Sequence, residues 1–278
     1  MRSEPLIDTP ASRLGAVLSA MPEVAIAVSG GVDSLTLATF AHRLGSVRAT
    51  MFHATSAAVP PEATLRTQLL ADREGWALRV IDAGEFLQAE YRANPVNRCF
   101  FCKTSLYGAI VPATAAQVVS GTNLDDLGEY RPGLDAARQH GVRHPFVEAG
   151  IAKVGVRMLA RDLGLGHISD LPSAPCLSSR IETGIGIDPA MLAAVHAAEK
   201  LVAATLEPAT VRCRVRASGV VIELDRAAFD ALDSLRRDDT AAAVSRLFLD
   251  KGFDVEVGFA PYRVGSAFLV RELKAATA

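Results

Sequence analysis

The sequence predicts an α/β fold in which a parallel sheet carries helices on both faces, followed by a smaller C-terminal α+β domain. Short apolar segments alternate with helical segments through the first half of the chain, the order that βαβ units require. A glycine-rich turn joins the first apolar segment to a helix. In the second half, a long helix precedes two adjoining strand-like segments. We therefore predict one domain over residues 1–183 and another over residues 184–278.

The elements of the first half follow from hydrophobic periodicity and from chain breakers. Gly45 ends the second helix, and Pro60 and Pro61 separate the second strand from the third helix. The predicted elements are, in order, a helix at Ser12–Met21, a strand at Glu23–Val28, a helix at Leu35–Leu44, a strand at Val47–His53, a helix at Glu62–Glu74, and strands at Leu78–Ile81 and Gln117–Ser120.

The second half predicts a small α+β unit. Pro189 is well placed for the first turn of a helix, and Ser218 and Gly219 suit the turn of a hairpin. The predicted elements are a helix at Asp188–Leu206, strands at Val211–Val215 and Val220–Leu224, helices at Arg226–Leu235 and Thr240–Lys251, and a last strand at Phe253–Val257.

Composition narrows the class of protein. The chain has 278 residues, of which 50% are hydrophobic, and a net charge of −2, so we expect a soluble globular protein that does not have nucleic acid as its main partner. No apolar run approaches the ~18 residues of a membrane-spanning helix. The segment 1–14 lacks the apolar core of a signal peptide, so we expect a cytoplasmic protein with reduced cysteines.

The strongest motif is S-G-G-V-D-S, which follows the first apolar strand and opens a helix. Gly30 and Gly31 adopt positive φ readily and let backbone N–H groups approach a phosphate at the helix N-terminus. Ser29 and Ser34 add hydroxyl donors, and Asp33 is explained if Mg²⁺ bridges its carboxylate to the phosphates. The alternative is a tight strand-to-helix turn in which Ser and Asp only cap the helix.

This loop resembles the pyrophosphate loop of the N-type ATP pyrophosphatases, and three further segments resemble one of their families, the LarE sulfurtransferases. The segments are N-R-C-F-F-C-K at residues 97–103, G-T-N-L-D-D at 121–126 with Y-R-P-G at 130–133, and P-C-L-S-S-R-I at 175–181. Later segments with the patterns R-V-R-x-x-G at 214–219 and Y-R-x-G-S at 262–266 also fit.

The resemblance implies a Rossmann-like, adenine nucleotide alpha hydrolase-like fold and a defined reaction. LarE proteins use ATP to adenylate a carboxylate of pyridinium-3,5-dicarboxylic acid mononucleotide, release pyrophosphate, and form a thiocarboxylate for the nickel-pincer nucleotide cofactor. ATP and Mg²⁺ are therefore expected cofactors, with Asp33 as the magnesium ligand. A homo-oligomer is also expected, and the sulfur donor stays unidentified.

Cys176 matches the sulfur-donating cysteine of that family. Arg180 lies four residues further on, where its charge would favour the thiolate if the segment is helical. Pro172 and Pro175 favour a loop here, although an isolated cysteine is also compatible with a small buried side chain. We read Cys213, within a predicted strand, as structural.

Cys99 and Cys102 form a C-x-x-C motif whose role is open. A structural zinc site needs four ligands and no second such motif exists, and a redox pair lacks its usual context. Together with Cys176 they are three thiolates that would hold a [4Fe–4S] cluster with one open iron. By resemblance, LarE-like proteins with three cysteines use such a cluster, whereas those with one sacrifice the cysteine sulfur.

Further polar residues are candidates with structural alternatives. Arg98 and Lys103 flank the C-x-x-C motif, where they would neutralise a thiolate or a substrate phosphate or else be a solvated pair. Candidates for nucleotide contacts follow the second and fourth strands, where ligands bind in parallel sheets; they are Ser56, Asn123, Asp125 and Asp126, and the last three also suit a helix cap.

Three arginines alternate along a predicted strand and so share one face: Arg212, Arg214 and Arg216. Burial without partners would be costly, so this face is expected to be exposed or to pair with an anion. The family implies a substrate-phosphate site here, for which we select Arg214 and Arg216.

Other functions remain open at this point. A tRNA thiolase also pairs this loop with cysteines, but the net charge of −2 disfavours it. Amide synthesis needs no such cysteines. A non-catalytic nucleotide-binding protein would keep the fold and lack pyrophosphate release.

Overall fold

The computed structural model describes residues 8–128, 130–172 and 175–269. Its residues group into two compact units, each made of several chain segments. The first unit comprises residues 1–56, 61–85 and 99–174, and the second comprises residues 57–60, 86–98 and 175–278. This grouping reflects proximity; the boundary near residue 183 between two folding domains stays a prediction.

The first unit is built on a four-stranded sheet. Its strands are β1 (Glu23–Ala27), β2 (Arg48–Ala54), β3 (Ala77–Ile81) and β4 (Gln117–Ser120). They lie in the order β3-β2-β1-β4, and every pair is parallel. All four strands were expected within a residue or two of these bounds, because each is a short apolar run between turn signals.

The two faces of this sheet carry separate apolar clusters. Val24 and Ile26 of β1 belong to the cluster that contains Leu35 and Leu37, whereas Ala25 packs into the other cluster, with Tyr107 and Ile110 among its members. Successive side chains of a strand point to opposite faces, so both faces of β1 are covered. The parallel sheet, its helices on both faces and the separate smaller sheet confirm the predicted Rossmann-like α/β fold.

The helices are numbered in chain order. They are α1 (Pro10–Ser19), α2 (Val32–Leu44), α3 (Pro61–Glu74), α4 (Ala89–Arg92), α5 (Arg98–Ile110), α6 (Gly133–Gln139), α7 (Pro145–Glu148), α8 (Lys153–Asp162), α9 (Gly166–Ser169), α10 (Pro189–Leu206), α11 (Arg226–Asp230) and α12 (Ser234–Leu249). Gly45 ends α2 in the left-handed conformation, as its sequence predicted.

The second unit contains a three-stranded sheet of β5 (Val211–Arg216), β6 (Gly219–Leu224) and β7 (Val257–Pro261). β5 and β6 form the predicted antiparallel hairpin, and β7 joins β6 in parallel. Helix α10 packs on β5 and on α12, and α12 also packs on β7. Buried residues of these elements, including Val195, Ile222 and Phe248, form the core.

Three predictions for this unit were wrong. The helix predicted at Arg226–Leu235 ends at Asp230, because Asp233 starts a new helix whose first turn contains Leu235. The last strand lies at Val257–Pro261 instead of Phe253–Val257, because it begins where Val257 pairs with Val220 of β6. The second helix begins at Ser234 instead of Thr240, because the Asp233 side chain accepts a hydrogen bond from Arg236 N and caps it.

Helix α5, which carries Cys99 and Cys102, was not predicted as a helix. None of the helices in the described part of the chain is both long and apolar enough to cross a membrane.

Candidate functional site

The glycine-rich loop of the first unit has a conformation that its sequence requires. Gly30 has φ +78°, and a Cβ there would lie 2.5 Å from the Ala63 carbonyl oxygen. Ser34 Oγ accepts a hydrogen bond from Ser29 N at 3.1 Å and lies 3.2 Å from Ser29 Oγ. The loop is therefore fixed by internal hydrogen bonds and by close packing against α3.

The N-terminus of α2 carries no side-chain cap. Gly31 occupies the N-cap position without a side-chain hydrogen bond, whereas Thr9, Asp188 and Asp233 cap α1, α10 and α12. Uncapped amides and the positive end of a helix dipole together favour an anion. Gly121, after β4, passes so close that its Cβ would lie 2.8 Å from Ser34 N.

Asp33, in the first turn of α2, faces two donors. Lys153 Nζ lies 2.5 Å from Oδ2, and Asn123 Nδ2 donates to Oδ1 at 3.2 Å. Lys153 was missed by the sequence reasoning, because it is 120 residues from Asp33 and no local motif marks it. The structure thus brings together Asp33, Ser34 and Asn123, three of the predicted residues, and adds a lysine.

The turn after β4 is organised by its own aspartates. Asp126 accepts from Asn123 N at 3.0 Å and pairs with Arg131 at 2.8 Å. Asp125 Oδ2 accepts from Lys153 N at 2.9 Å, which caps α8. Both carboxylates therefore fix the turn that presents Asn123 to Asp33, while a nucleotide contact by Asp126 stays a prediction.

Two further polar residues support the loop. His53 is fully buried, with Nδ1 2.8 Å from the Val28 carbonyl and Nε2 2.9 Å from Thr64 Oγ1. Burial lowers the pKa of His53, so its imidazole is neutral, with the proton on Nδ1 because a carbonyl only accepts. Arg66 Nη1 donates to the Gly30 carbonyl at 2.6 Å. Ser56 follows β2 and is half-buried.

The two cysteines of the C-x-x-C motif lie on α5 in the first unit. Cys99 and Cys102 are half-buried and three residues apart, so they share a helix face. Lys103 lies beside the Tyr107 ring, 5.9 Å from its centroid. Among residues 8–128, 130–172 and 175–269, no three His, Cys, Asp or Glu side chains are grouped to hold a metal ion.

Cys176 belongs to the second unit and precedes a 3₁₀ turn at Leu177–Arg180, in the loop that the two preceding prolines predicted. Its side chain is half-buried. Leu177 N donates to the Ala58 carbonyl at 2.8 Å, and Arg180 Nη1 donates to the carbonyls of Pro175 and Cys176 at 2.7 and 3.3 Å. Arg180 thereby fixes the backbone on which the thiol is carried.

The charge of Arg180 is balanced by a residue that we did not select. Glu199 of α10 receives Nε and Nη2 of Arg180 at 2.9 and 3.1 Å, and it also accepts from Cys213 N at 3.0 Å. Cys213 is fully buried in β5, as expected for a structural cysteine, and burial raises its thiol pKa well above the usual value.

The alternating arginines of β5 also have protein partners. Glu223, which is 1% exposed, accepts from Arg214 Nε at 3.0 Å, from Arg216 Nη2 at 2.7 Å and from Ser266 Oγ at 2.7 Å. Arg212 is half-buried 5.7 Å from the Tyr262 ring, and burial and then the Arg180 charge lower its pKa. The anion that offsets Arg214 and Arg216 is therefore a carboxylate of the neighbouring strand.

The fold and the glycine-rich loop define the class of protein: a parallel α/β protein in which that loop joins a strand to a helix whose N-terminus has no side-chain cap. No family profile matches the chain. It is 30% identical over 224 residues to the pyridinium-3,5-bisthiocarboxylic acid mononucleotide synthase of Lactiplantibacillus plantarum, covering 79% of this chain and 80% of that protein. The chain belongs to the family of that synthase.

Two uncharacterised proteins are also similar. The chain is 39% identical over 178 residues to slr1717 of Synechocystis, a match that spans 63% of this chain and 66% of that protein, just under two thirds. It is 29% identical over 165 residues to MJ0830 of Methanocaldococcus jannaschii, a match over 58% and 61% of the two chains.

Proposed function

We propose that this chain is an ATP-dependent sulfurtransferase that converts a carboxylate of pyridinium-3,5-dicarboxylic acid mononucleotide into a thiocarboxylate, for nickel-pincer nucleotide biosynthesis. The observation that carries the proposal is the uncapped N-terminus of α2, with Asp33, Lys153 and Asn123 beside it. The kinship to the Lactiplantibacillus plantarum synthase supplies the substrate class. We further propose that the protein is cytoplasmic and homo-oligomeric.

The first step needs a better leaving group on the substrate. A carboxylate oxygen attacks the α-phosphorus of ATP, pyrophosphate leaves, and an acyl adenylate forms. The amides of Gly30 and Gly31 and the hydroxyls of Ser29 and Ser34 hold the pyrophosphate, since anions bind at such helix N-termini. Lys153 adds a positive charge at this place, and Ser56, Asn123 and Asp126 contact the nucleotide.

Asp33 fits a magnesium site by its chemistry, because a carboxylate at the phosphate loop is the ligand that Mg²⁺ uses beside phosphates. Mg²⁺ bound there would neutralise the departing pyrophosphate. Both oxygens of Asp33 now accept from Lys153 and Asn123, so Lys153 has to release Oδ2 when the carboxylate serves as a ligand.

The second step replaces AMP by sulfur, and Cys176 is the residue we assign to it. Its loop is held by Arg180, which acts on the backbone carbonyls of Pro175 and Cys176. We propose that Lys103, Arg214 and Arg216 bind the negative groups of the substrate, for which the two arginines would have to give up part of their pairing with Glu223. In the sacrificial alternative, the Cys176 thiolate displaces AMP to form a thioester. Loss of the Cα proton then breaks the Cβ–S bond, which releases the thiocarboxylate and leaves dehydroalanine.

Cys99 and Cys102 favour a catalytic sulfur source. Two thiols on one face of α5 would supply two ligands of a [4Fe–4S] cluster, and Cys176 would be the third. The described residues contain no ready group of three such ligands, so the cluster itself would have to bring them together. Held by these three thiolates, a cluster would supply sulfide as the sulfur source. This sulfide would replace the cysteine sulfur and spare Cys176.

The first experiment measures pyrophosphate and AMP release and identifies the thiocarboxylate by mass. We expect release only when ATP, Mg²⁺ and the dicarboxylate nucleotide are all present. Asp33→Asn should abolish it, and Asp162→Asn, which changes an exposed aspartate of the same unit, should not. AMP binding without pyrophosphate release would instead indicate a non-catalytic protein, and release that depends on tRNA would indicate a thiolase.

The second experiment is anaerobic purification with iron, sulfide and visible spectra. About four irons per chain are expected in the wild type. They should be lost in Cys99→Ala and kept in Cys213→Ala, because Cys213 is buried in β5. A protein that stays colourless after reconstitution overturns the cluster. A loss of about 34 Da from Cys176 after turnover then marks the sacrificial route.

A further inference from the structure

Arg98 is a buried cation, and two of its three guanidinium nitrogens lack a hydrogen-bond acceptor among the described residues. The residue is 2% exposed, yet Nε and Nη2 have no hydrogen-bond acceptor among the residues that the structure describes. Both atoms lie on the same edge of the guanidinium. This edge is the one that binds the two oxygens of a carboxylate or phosphate side by side.

The rest of the Arg98 guanidinium is held in place. Nη1 donates to Asn94 Oδ1 at 2.5 Å, and the Phe268 ring covers one face, with its centroid 4.6 Å from the guanidinium carbon. Asn94 is itself buried, and its Nδ2 donates to the carbonyls of Glu182 and Ile185, both at 2.9 Å. The Asn94 oxygen is thereby oriented toward Arg98, and the Nε–Nη2 edge has no acceptor within the described part of the chain.

Other arginines of this chain show what that edge binds. Arg43, Arg143 and Arg180 each donate from Nε and Nη2 to the two oxygens of one glutamate: Glu74, Glu148 and Glu199 respectively. Arg98 offers the same fork in a buried place, and no carboxylate of the described residues occupies it. Because an unpaired buried charge is strongly unfavourable, an oxyanion would stabilise this arrangement.

We propose that the Nε–Nη2 edge of Arg98 is a binding site for one oxyanion, a carboxylate or a phosphate, of a small-molecule ligand. Arg98 is also the first residue of α5, where the helix dipole adds to the attraction for an anion. The assignment of the oxyanion to the substrate rests on the proposed function, because that nucleotide carries carboxylates and a phosphate. Binding of simple oxyanions does not depend on that function.

The test follows the Nε–H resonance of Arg98 in protein labelled with ¹⁵N-arginine, assigned by its loss in Arg98→Lys. If that variant does not fold, Phe268→Leu assigns the same signal through the lost ring-current shift. Inorganic phosphate and pyridine-3,5-dicarboxylate are titrated separately, with chloride at equal ionic strength. We expect a saturable shift with at least one of the two oxyanions, and the one that acts identifies the source. A signal that neither oxyanion moves overturns the site.

Calorimetry with the more effective oxyanion gives a second readout. Arg98→Met should weaken the binding assigned to this site by about tenfold or more, a loss of at least ~1.4 kcal/mol. Arg237→Met is the matched control, because it removes a half-buried arginine near the rings of Phe229 and Phe259, and it should bind as the wild type does. Equal affinity in Arg98→Met and wild type overturns the site. Oxyanion binding at Arg98 without pyrophosphate release would refute the proposed function alone.

Discussion

The phosphate loop of the first unit and the Cys176 loop of the second are fixed by different interactions. The first is positioned by glycines that permit close approach: Gly30 against Ala63, and Gly121 against Ser34. The second is positioned by buried charge, since Arg180 joins the Cys176 backbone to Glu199. The phosphate loop leaves the backbone N–H groups at the start of α2 without a side-chain acceptor, whereas in the Cys176 loop every nitrogen of the Arg180 guanidinium has an acceptor.

This difference suits the two tasks we assign to the loops. A phosphate site needs donors that are free for a ligand, and an uncapped helix supplies them. A thiol carrier needs a fixed backbone, and a charged hydrogen bond is a strong way to hold one. Substitutions in the two regions should therefore have different effects. Breaking a buried charge pair should lower the free energy of unfolding, whereas changing the phosphate loop should weaken ligand binding and pyrophosphate release.

The largest effect on stability is expected for Glu223→Gln. It leaves the buried Arg214 and the neighbouring Arg216 without their carboxylate, and breaking a buried pair costs about 3–5 kcal/mol. Urea unfolding measures this loss. Asp230→Asn is the control, because it breaks a pair with side chains 76% and 52% exposed and should cost less than ~1 kcal/mol. Equal losses in the two variants would contradict the role of buried charge.

The next largest effect on stability is expected for Gly121→Ala, in the turn beside the phosphate loop. The new Cβ would lie 2.8 Å from Ser34 N, so the turn after β4 has to move away from α2, at a cost of about 1–3 kcal/mol. The rate of pyrophosphate release should fall as well, because moving the turn breaks the hydrogen bond from Asn123 Nδ2 to Asp33. Gly128→Ala, with no atom within 4 Å of the added carbon, should change neither quantity. An active Gly121→Ala enzyme would show that the close approach is not required.

The sequence predicted a structural feature correctly where that feature depends on residues that are neighbours along the chain. β1, the glycine loop and α2 are contiguous, so strand, turn and helix signals support one another there. β7 was misplaced because its start depends on pairing with β6, which no local signal reports. Lys153 was missed for the same reason, being 120 residues from its partner.

The carboxylate that pairs with Arg214 and Arg216 of β5 could have been predicted from the sequence. The predicted hairpin places Glu223 directly across from Arg212, and therefore diagonal to Arg214. Following this register would have identified a protein carboxylate as the anion. Glu199 offered no such signal, because helix α10 packs on β5 through tertiary contacts that the sequence does not specify locally.

A smaller effect, on catalysis alone, is expected for Lys153→Met. Removing the ammonium 2.5 Å from Asp33 takes one positive charge from the pyrophosphate site, so kcat/KM for pyrophosphate release should fall about tenfold, or ~1.4 kcal/mol. Lys153→Arg should recover part of the loss. Lys251→Met, an exposed lysine of the second unit, should leave kcat/KM unchanged. An unaltered rate in Lys153→Met would leave Asp33 as the charged group that acts there.

The smallest effect concerns the pH dependence of stability at His53. Burial lowers its pKa, so the unfolded chain takes up a proton before the folded chain does. The stabilisation is present above the unfolded pKa of about 6.5 and is lost as the pH falls from there toward the folded value. Urea unfolding at several pH values should show this slope, reduced in His53→Gln.

Thr64→Val separates titration from hydrogen bonding at this place. It removes the hydroxyl that lies 2.9 Å from Nε2 and keeps the imidazole, so stability should drop at every pH while the slope remains. His144, whose pKa burial also lowers, contributes the slope that persists in His53→Gln. If His53→Gln kept the full slope, the imidazole that links the Val28 carbonyl to α3 would not be the titrating group, and the slope in stability would come from His144.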